Sequence, residues 1–366
     1  MTNLARKYRP SQLGDLLGQE ALVNVMTAAI KHDRLAQCYI MTGVRGVGKT
    51  TTARIVARSV NCENGPTITP CGTCQSCREI ESDSSLDVYE LDAASRNGVS
   101  DMRDLIENIS YAPMRRGARK IYILDEAHML STAAWNALLK TLEEPPAHVI
   151  FIFATTEPRK IPATIQSRCQ KFSLRRIELN VIADHIASVA TSEGATLDEG
   201  VATLIARAGE GSMRDALSIL DQAISGSEKD SITMDDVRGM IGKSSPTAMI
   251  DVLSSVLDGD TPGAITAWRT VLDAGVDPIA ALDDLMIFLH QTCLAGIDLS
   301  LLRESGLAKP DAKRLCDIAD KVPTNFISGA QKMLFETRSS AASNPNRSQA
   351  AEILILRLTA GFARNK

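Results

Sequence analysis

The feature that most constrains this chain is a glycine-rich loop between a short apolar run and a helical pattern. Residues 43–50 are Gly-Val-Arg-Gly-Val-Gly-Lys-Thr and fit the pattern G-x-x-x-x-G-K-[ST]. In such a loop, backbone N–H groups surround a phosphate, the lysine meets its outer oxygens and the threonine hydroxyl binds Mg²⁺. A glycine-rich turn that contains Lys-Thr by chance is the weaker interpretation in this context. The residues predicted to bind ATP here are Gly43, Val44, Arg45, Gly46, Val47, Gly48, Lys49, Thr50 and Thr51.

Short apolar runs alternate with helical patterns in the first half of the chain. Four runs have the composition of strands, and each is followed by polar residues. Strands separated by helices predict βαβ units around a parallel sheet, where chemistry gathers at the carboxyl ends of the strands. The predicted strands are 38–41, 88–91, 121–124 and 149–153.

The strand signal ends at about Arg176, and helical patterns follow. Residues 178–242 predict three or four short helices, Asp277 is a predicted N-cap for a helix over about 278–294, and another helix covers about 349–362. We therefore expect three domains: an α/β domain at 1–176 with an insertion at 62–77, a small helical domain at 177–242, and a helical bundle at 243–366.

An acidic pair follows the third predicted strand. Asp125 and Glu126 come directly after residues 121–124. An acid at a strand end beside a phosphate loop is placed to hold Mg²⁺, and we predict this role for Asp125. Glu126 is then placed to orient and deprotonate the attacking water. A surface Asp-Glu pair without a catalytic role is the alternative. We expect His128 to pack or to form hydrogen bonds rather than to bind a metal.

Four of the eight cysteines fall between residues 62 and 77. The C-x2-C spacing lets one turn present two sulfurs to one ion, and Zn²⁺ takes four thiolates tetrahedrally. Such a closed site leaves no position for water, so we predict a structural zinc site. Two disulfides, an iron–sulfur cluster and unliganded thiols remain alternatives. We expect Cys38, Cys293 and Cys316 to be core thiols, and the predicted zinc ligands are Cys62, Cys71, Cys74 and Cys77.

The net charge of −4 conceals an uneven distribution. Residues 1–175 carry 22 Lys and Arg against 18 Asp and Glu, whereas residues 176–366 carry 18 against 26. The two halves are therefore expected to face different partners. The composition argues against a basic-tail mode of nucleic-acid binding but not against binding by the basic half.

The composition and the apolar pattern also disfavour two further classes of protein. Aromatic residues make up 4% of the chain, too few to predict a carbohydrate binder or a base-stacking platform. We find no apolar run near the ~18 residues of a membrane span, and residues 1–10 lack the apolar stretch of a signal peptide. We expect a cytoplasmic protein with no membrane partner.

Two arginines could reach a phosphate. Arg168 follows the fourth predicted strand and its polar end, Thr155-Thr156, and Arg214 opens a later helix. Arginine suits a γ-phosphate because it is always charged and binds oxygens bidentately. From spacing alone, each is more often an ordinary surface or salt-bridge residue.

Together these motifs closely resemble the family of bacterial DNA polymerase III gamma/tau subunits, the ATPases of the replicative clamp loader. The resemblance is strong over about residues 1–242, and the cysteine cluster discriminates best, because many related ATPases lack it. Beyond that region the likeness is only that the chain is helical. The matching segments are 6–10, 18–20, 43–50, 62–77, 91–96, 125–130, 136–146, 167–169 and 211–217.

The resemblance implies an AAA+ module, with its P-loop α/β sheet, then a helical lid and an all-α collar domain that joins subunits into a pentamer. It implies that Arg168 is an arginine finger acting on a neighbour's ATP and that Arg214 senses the γ-phosphate in its own chain. Either Thr155 or Thr156 would be the strand-end sensor. The residues that would border the adenine are Tyr8, Arg9, Pro10 and Leu17.

The implied function is to open a ring-shaped sliding clamp with ATP and to place it on primed DNA. The implied partners are subunits of the delta and delta-prime type, copies of the chain itself, the clamp and the DNA, at replication forks. The family also has a longer tau form, and the chain ends at Lys366, as a short form or a truncated chain would. The predicted DNA contacts in the basic half are Arg96, Lys140 and Lys160.

Three other functions remain open. A related AAA+ motor, of the branch-migration helicase or initiator type, is disfavoured by the cysteine cluster and the Ser-Arg-Cys motif. A scaffold that binds nucleotide without hydrolysing it is disfavoured by the presence of Lys49, Thr50, Asp125 and Glu126. A zinc-dependent nucleic-acid adaptor is disfavoured by the low aromatic content.

Overall fold

The structure is a computed structural model that describes residues 3–226, 231–242, 244–298, 300–302, 307, 309–321 and 324–363. The chain divides into two compact units, one made of residues 1–189 and 206–218 and the other of 190–205 and 219–366. Lys366, the last residue of the sequence, lies outside the described residues. The three-domain division stays a prediction.

The strands and helices of the described residues have the following bounds. The strands are β1 (Cys38–Thr42), β2 (Val88–Asp92), β3 (Lys120–Asp125), β4 (Val149–Thr155), β5 (Gln170–Ser173), β6 (Thr196–Leu197) and β7 (Ser231–Ile232). The first eleven helices are α1 (Leu4–Lys7), α2 (Glu20–Lys31), α3 (Lys49–Asn61), α4 (Gln75–Glu81), α5 (Val99–Ile109), α6 (Thr132–Glu143), α7 (Ala163–Gln166), α8 (Leu179–Ser192), α9 (Val201–Ala208), α10 (Met213–Gly226) and α11 (Met234–Ile241). The remaining helices are α12 (Pro246–Asp258), α13 (Thr261–Asp273), α14 (Pro278–Ile297), α15 (Lys309–Ala319), α16 (Thr324–Ala342) and α17 (Arg347–Ala363).

Five parallel strands form the sheet of the first unit, in the order β2-β3-β4-β1-β5. Because all five run in the same direction, their carboxyl ends lie at one edge of the sheet. In this register Asp92 lies beside Asp125, and Thr42 lies beside Thr155. The α/β class predicted from the sequence, with helices after the sheet, is confirmed.

Both faces of the sheet are covered, which explains why its three central strands, β3, β4 and β1, are continuous apolar runs rather than alternating ones. Along β1, Tyr39 and Met41 pack into the core formed with α2 and α3, whereas Cys38 and Ile40 pack into the core formed with α5 and α6. All seven residues of β4 are buried. The sheet is therefore the middle of three layers.

Strand β5 was missed by the sequence analysis. Only Phe172 of its four residues is buried, because β5 is an edge strand that pairs with β1 alone. Its exposed Gln170 and Lys171 remove the apolar run that marks the other strands. A strand so short and polar is recognised only from its pairing.

The described part of residues 178–242 contains four helices, α8 to α11, as predicted, but it is not entirely helical. Thr196 pairs with Ser231 and Leu197 with Ile232 in the two-stranded parallel ladder of β6 and β7. The expectation that strands end at Arg176 was wrong, because two-residue strands have no periodicity to detect.

Helices α12 to α17 pack around one apolar core that contains the fully buried Trp268. Asp277 caps α14 by accepting hydrogen bonds from the N–H groups of Ile279 and Ala280, as predicted. By length and composition alone, α14 could cross a membrane, with a mean hydropathy of 1.2, so the expectation that no stretch approaches this limit was wrong. In the structure this helix contributes Leu282, Leu285 and other apolar side chains to the core.

The core thiol expected at Cys38 is instead paired. Cys38 precedes Tyr39 on β1, Cys169 precedes Gln170 on β5, and Tyr39 lies beside Gln170 in the sheet. The register therefore places the two cysteines side by side, with their Cα atoms 4.6 Å apart, and they form a disulfide. Cys293 and Cys316 are free and half-buried.

Candidate functional site

The glycine-rich loop joins the carboxyl end of β1 to the start of α3. Gly43, Gly46 and Gly48 have positive φ angles of 149°, 79° and 102°, a region that side chains with a Cβ rarely adopt. A Cβ at Gly46 would also collide with the Ser212 hydroxyl. The loop therefore turns its backbone N–H groups to the N-terminal end of α3, where a phosphate is favoured by the helix dipole.

Lys49 is only 5% exposed, and its Nζ donates to the carbonyl oxygens of Gly43, at 2.9 Å, and Val44, at 3.0 Å. Burial lowers the pKa of Lys49, while the carboxylates of Glu126 and Asp125 act in the opposite direction. A buried ammonium group held at the loop is suited to meet phosphate oxygens.

Thr50 and Asp125 meet although they are 75 residues apart. The Thr50 hydroxyl donates to Asp125 Oδ2 at 2.6 Å, and Asp125 Oδ1 accepts from the Glu126 N–H at 2.9 Å. The two oxygens thus lie together beside the phosphate loop. Oxygen ligands of this kind fit Mg²⁺, which takes one or two protein oxygens together with substrate phosphates.

Glu126 and the two threonines of β4's end form a second polar group. Glu126 has a positive φ of 44°. Its Oε2 accepts from the Thr156 hydroxyl at 3.2 Å and lies 3.4 Å from His128 Nδ1. Thr155 is fully buried, and its hydroxyl lies 3.0 Å from the same ring nitrogen. Of the two candidates for the strand-end sensor, Thr156 contacts Glu126 directly, whereas Thr155 contacts His128.

A cavity of about 1170 Å³ in the first unit brings most of the predicted ATP-binding residues together. Arg214, at the second position of α10, lines it, and its N–H lies 3.5 Å from the Gly46 carbonyl oxygen. Gly43 and Val44 are not among the lining residues. The predicted residues that line the cavity are Tyr8, Arg9, Pro10, Leu17, Arg45, Gly46, Val47, Gly48, Lys49, Thr50, Thr51, Asp125, Glu126 and Arg214.

The cysteine cluster also comes together in the first unit. The four Sγ atoms lie within 4.8 Å of one another, and four sulfurs bound to Zn²⁺ at about 2.3 Å would lie about 3.8 Å apart. Hydrogen bonds from the backbone N–H groups of Cys74 and Thr73 lower the pKa of Cys71 to about 6. Burial raises the pKa of Cys77 to about 12. The cluster is compatible with one zinc ion, whose charge would favour the thiolate at every position.

Three family profiles divide the chain among them. The family described as DNA polymerase III, delta subunit, matches residues 18–178. The clamp loader subunit ATPase lid domain of DNA polymerase III matches 181–229, and domain III of DNA polymerase III subunits gamma and tau matches 232–364.

Relatives that match most of the chain point to the same family as these profiles. DNA polymerase III subunit gamma of Buchnera aphidicola is 39% identical over 294 residues, which cover 80% of this chain and 79% of that protein. The chain belongs to the DNA polymerase III gamma/tau family. DNA polymerase III subunit tau of Salmonella typhimurium is 37% identical over 98% of the chain, and that of Bacillus subtilis is 41% identical over 80%. The chain spans about half the length of these two relatives, 55% and 51% respectively.

Solved structures with a similar fold are more distant in sequence. The RuvB Holliday junction branch migration motor of Thermotoga maritima has a TM-score of 0.48 and 17% identity, over 68% of this chain and 79% of that chain. The clamp loader delta protein of Bacillus subtilis has a TM-score of 0.40 and 12% identity, over 92% and 99%. The family assignment rests on the sequence matches.

Arg168 of this gamma/tau chain does not line its own nucleotide cavity. The Arg168 guanidinium donates to Glu143 Oε1 at 2.7 Å and to the Thr164 carbonyl oxygen at 2.5 Å, on an exposed surface. Arg168 lies in the turn between α7 and β5, directly before the disulfide-bonded Cys169. The structure therefore brings Arg214, but not Arg168, to the phosphate loop of the same chain.

The three predicted DNA contacts are all exposed. Arg96 and Lys160 follow the carboxyl ends of β2 and β4, at the same sheet edge as the phosphate loop, and Lys140 lies on α6. Lys160 pairs with Glu157 at 2.8 Å.

Several cavity residues were missed by the sequence analysis. Asp92 ends β2, so the strand-end rule that identified Asp125 could have found it. His185 on α8 gives no local signal, because only the folded chain places it against the cavity. Burial lowers the pKa of His185.

Proposed function

We propose that this chain is the ATP-hydrolysing subunit of a bacterial replicative clamp loader. It would use ATP to open a sliding clamp and to load the clamp onto primed DNA within the DNA polymerase III holoenzyme, without itself polymerising DNA. The observation that carries the proposal is the meeting of Lys49 with Thr50, Asp125 and Glu126 at one cavity in a gamma/tau chain. These are a phosphate-binding cation, a pair of metal-binding oxygens and a candidate base.

Each group has a distinct part in the proposed hydrolysis. Lys49 binds the β- and γ-phosphate oxygens, exchanging its two carbonyl partners for charged ones. Thr50 and Asp125 hold Mg²⁺, which neutralises charge on the phosphates when bound. Glu126 orients the attacking water and accepts its proton, and Arg214 contacts the γ-phosphate from the same chain.

Copies of the chain and subunits of the delta and delta-prime type would form a cytoplasmic pentamer through the C-terminal helices. Arg168 would reach the ATP of a neighbour, which agrees with its exposed position outside its own cavity. Hydrolysis removes the γ-phosphate contacts and loosens that interface. Primed DNA would be held through its phosphates without sequence readout, and a structural Zn²⁺ would hold the segment 62–77.

The test is ATP turnover by the chain assembled with its partner subunits, with and without clamp and primed DNA. Turnover should rise when both are added, whereas a helicase would respond to DNA without the clamp and a passive scaffold would show no turnover. Lys49→Ala should lower turnover by about 100-fold or more, because a charge that stabilises the transferred phosphoryl group is removed.

Lys31→Ala is the matched control, since Lys31 is an exposed lysine at the end of α2. It should leave turnover unchanged. Full activity of Lys49→Ala would refute the assignment of the phosphate loop.

A further inference from the structure

His128 lies between two carboxylates at the edge of the nucleotide site. Its Nδ1 is 3.4 Å from Glu126 Oε2 and 3.0 Å from the Thr155 hydroxyl oxygen. Its Nε2 is 3.5 Å from Glu157 Oε1. The side chain is 9% exposed, so these contacts replace most of the water that the ring would otherwise meet.

Glu126 has few other restraints. Its side chain is 30% exposed, and its backbone has a positive φ of 44°. The Thr156 hydroxyl donates to the same oxygen, Oε2, at 3.2 Å. A carboxylate on three rotatable bonds loses conformational freedom when it is held in one place, so the contacts with Thr156 and His128 decide where it points.

We propose that His128 is a positioning residue that holds the Glu126 carboxylate in the orientation needed to align the attacking water. This inference rests on the proposed function, in which Glu126 is the base. In the tautomer with its proton on Nδ1, the ring donates toward the Thr155 hydroxyl oxygen and the Glu126 carboxylate. The fully buried Thr155 fixes the ring to the end of β4, which is the central strand of the sheet. The ring therefore holds the Glu126 carboxylate at a fixed position relative to that strand.

The three contacts come from two segments that are distant along the chain, the turn after β3 and the end of β4, which distinguishes positioning from packing. Glu126 ends the β3 turn, Thr155 ends β4, and Glu157 follows β4. A ring that only filled space would be replaced well by an apolar group of its size. A ring that holds a carboxylate requires a nitrogen at the position of Nδ1.

The experiment separates the two ring nitrogens by substitution. In His128→Asn the amide takes the position of Nδ1, whereas in His128→Gln it reaches toward the position of Nε2. In the chain assembled with its partners, His128→Gln should lower kcat by about 10- to 100-fold, because a misplaced catalytic group costs this much. His128→Asn should recover most of that loss. Binding of ATP in the absence of Mg²⁺ and the midpoint of thermal unfolding should stay close to wild type for His128→Asn and His128→Gln.

His148→Gln is the matched control, since His148 is also half-buried in the first unit and its Nε2 lies 3.3 Å from the Ile109 carbonyl oxygen. It should leave kcat unchanged. In a Glu126→Gln background, His128→Gln should cause no further loss, because the two residues act as one unit.

Equal activity of the Asn and Gln variants, a loss in ATP affinity that matches the loss in kcat, or additive losses in the double variant would each overturn the positioning role. These outcomes leave the proposed function intact, because they presuppose turnover by the wild-type chain. Absence of turnover in the wild-type assembly with clamp and DNA would instead overturn the proposed function.

Discussion

Lys49 combines burial with positive charge at the phosphate loop. An ammonium group that is 5% exposed and, among the described residues, donates to two carbonyl oxygens and to no carboxylate has lost water without gaining a counter-ion in direct contact. Burial therefore lowers its pKa, and the nearby carboxylates of Glu126 and Asp125 only oppose this. The phosphates of a nucleotide would supply the missing negative charge, which gives a physical reason for the site to bind one.

We expect Arg168 and Arg214 to contact the ATP of different chains. Arg168→Ala should leave ATP binding by the chain near normal and suppress hydrolysis in the assembled ring by about 1000-fold, as for an arginine finger in trans. Mixing Arg168→Ala with Lys49→Ala should restore part of the activity, because one variant supplies the ATP site and the other the finger. ATP turnover of each variant and of the mixture is the measurement.

The control is Arg159→Ala, which removes another exposed arginine of the same unit. It should retain hydrolysis in the ring. Weakened ATP binding by the single Arg168→Ala chain would place that arginine at its own nucleotide.

At the scale of elements, the cysteine segment joins the end of α3 to the short helix α4. Helix α4 has only seven residues, and its N-cap, Cys74, accepts through its own Sγ from the Cys77 N–H. Cys62 ends α3 and is 1% exposed. A metal ion that joins these sulfurs would connect α3 to α4 more firmly than the backbone hydrogen bonds do.

Metal analysis of protein never exposed to chelator should find about one zinc per chain. A strong chelator should lower the midpoint of thermal unfolding, because it removes the ion that joins the sulfurs. Cys74→Ser should bind zinc more weakly, because one thiolate ligand is lost. Cys293→Ser is the control, since that free thiol lies on α14 in the other unit. Protein without zinc would contradict the four-thiolate site.

For the whole molecule, charge is divided along the chain. Residues 1–175 have a net charge of +4 and residues 176–366 of −8, counted from 22 basic and 18 acidic residues in the first part and 18 and 26 in the second. Affinity for DNA phosphates depends on salt because bound cations are released. The basic half is therefore where this dependence should originate.

Arg96→Ala, Lys140→Ala and Lys160→Ala should each weaken binding of primed DNA by the assembled loader at low salt. Each should also reduce the slope of log affinity against log salt by about 0.9, if that residue neutralises one phosphate. Lys321→Ala is the control, because Lys321 is an exposed lysine of the acidic half. An unchanged slope for all three variants would remove them from the DNA interface.

The sequence predicted the parallel sheet, four of its five strands and the helices that follow it. It also predicted that Thr50 and Asp125 would lie close together, because each follows a strand of one parallel sheet and carboxyl ends of such strands share an edge. These predictions need only local patterns and the direction of the strands. The same rule applied to β2 would have added Asp92.

Other features depend on which strands are neighbours, and local patterns do not contain that information. Strand β5 and the Cys38–Cys169 pair exist because β1 lies between β4 and β5. The contacts of His128 with Thr155 and Glu157 require β3 beside β4. The sequence by itself thus identified the phosphate loop and the acidic pair that meet at the cavity. The tertiary structure alone decided which side chains contact these residues, because the order of the strands in the sheet brings together residues that are distant along the chain.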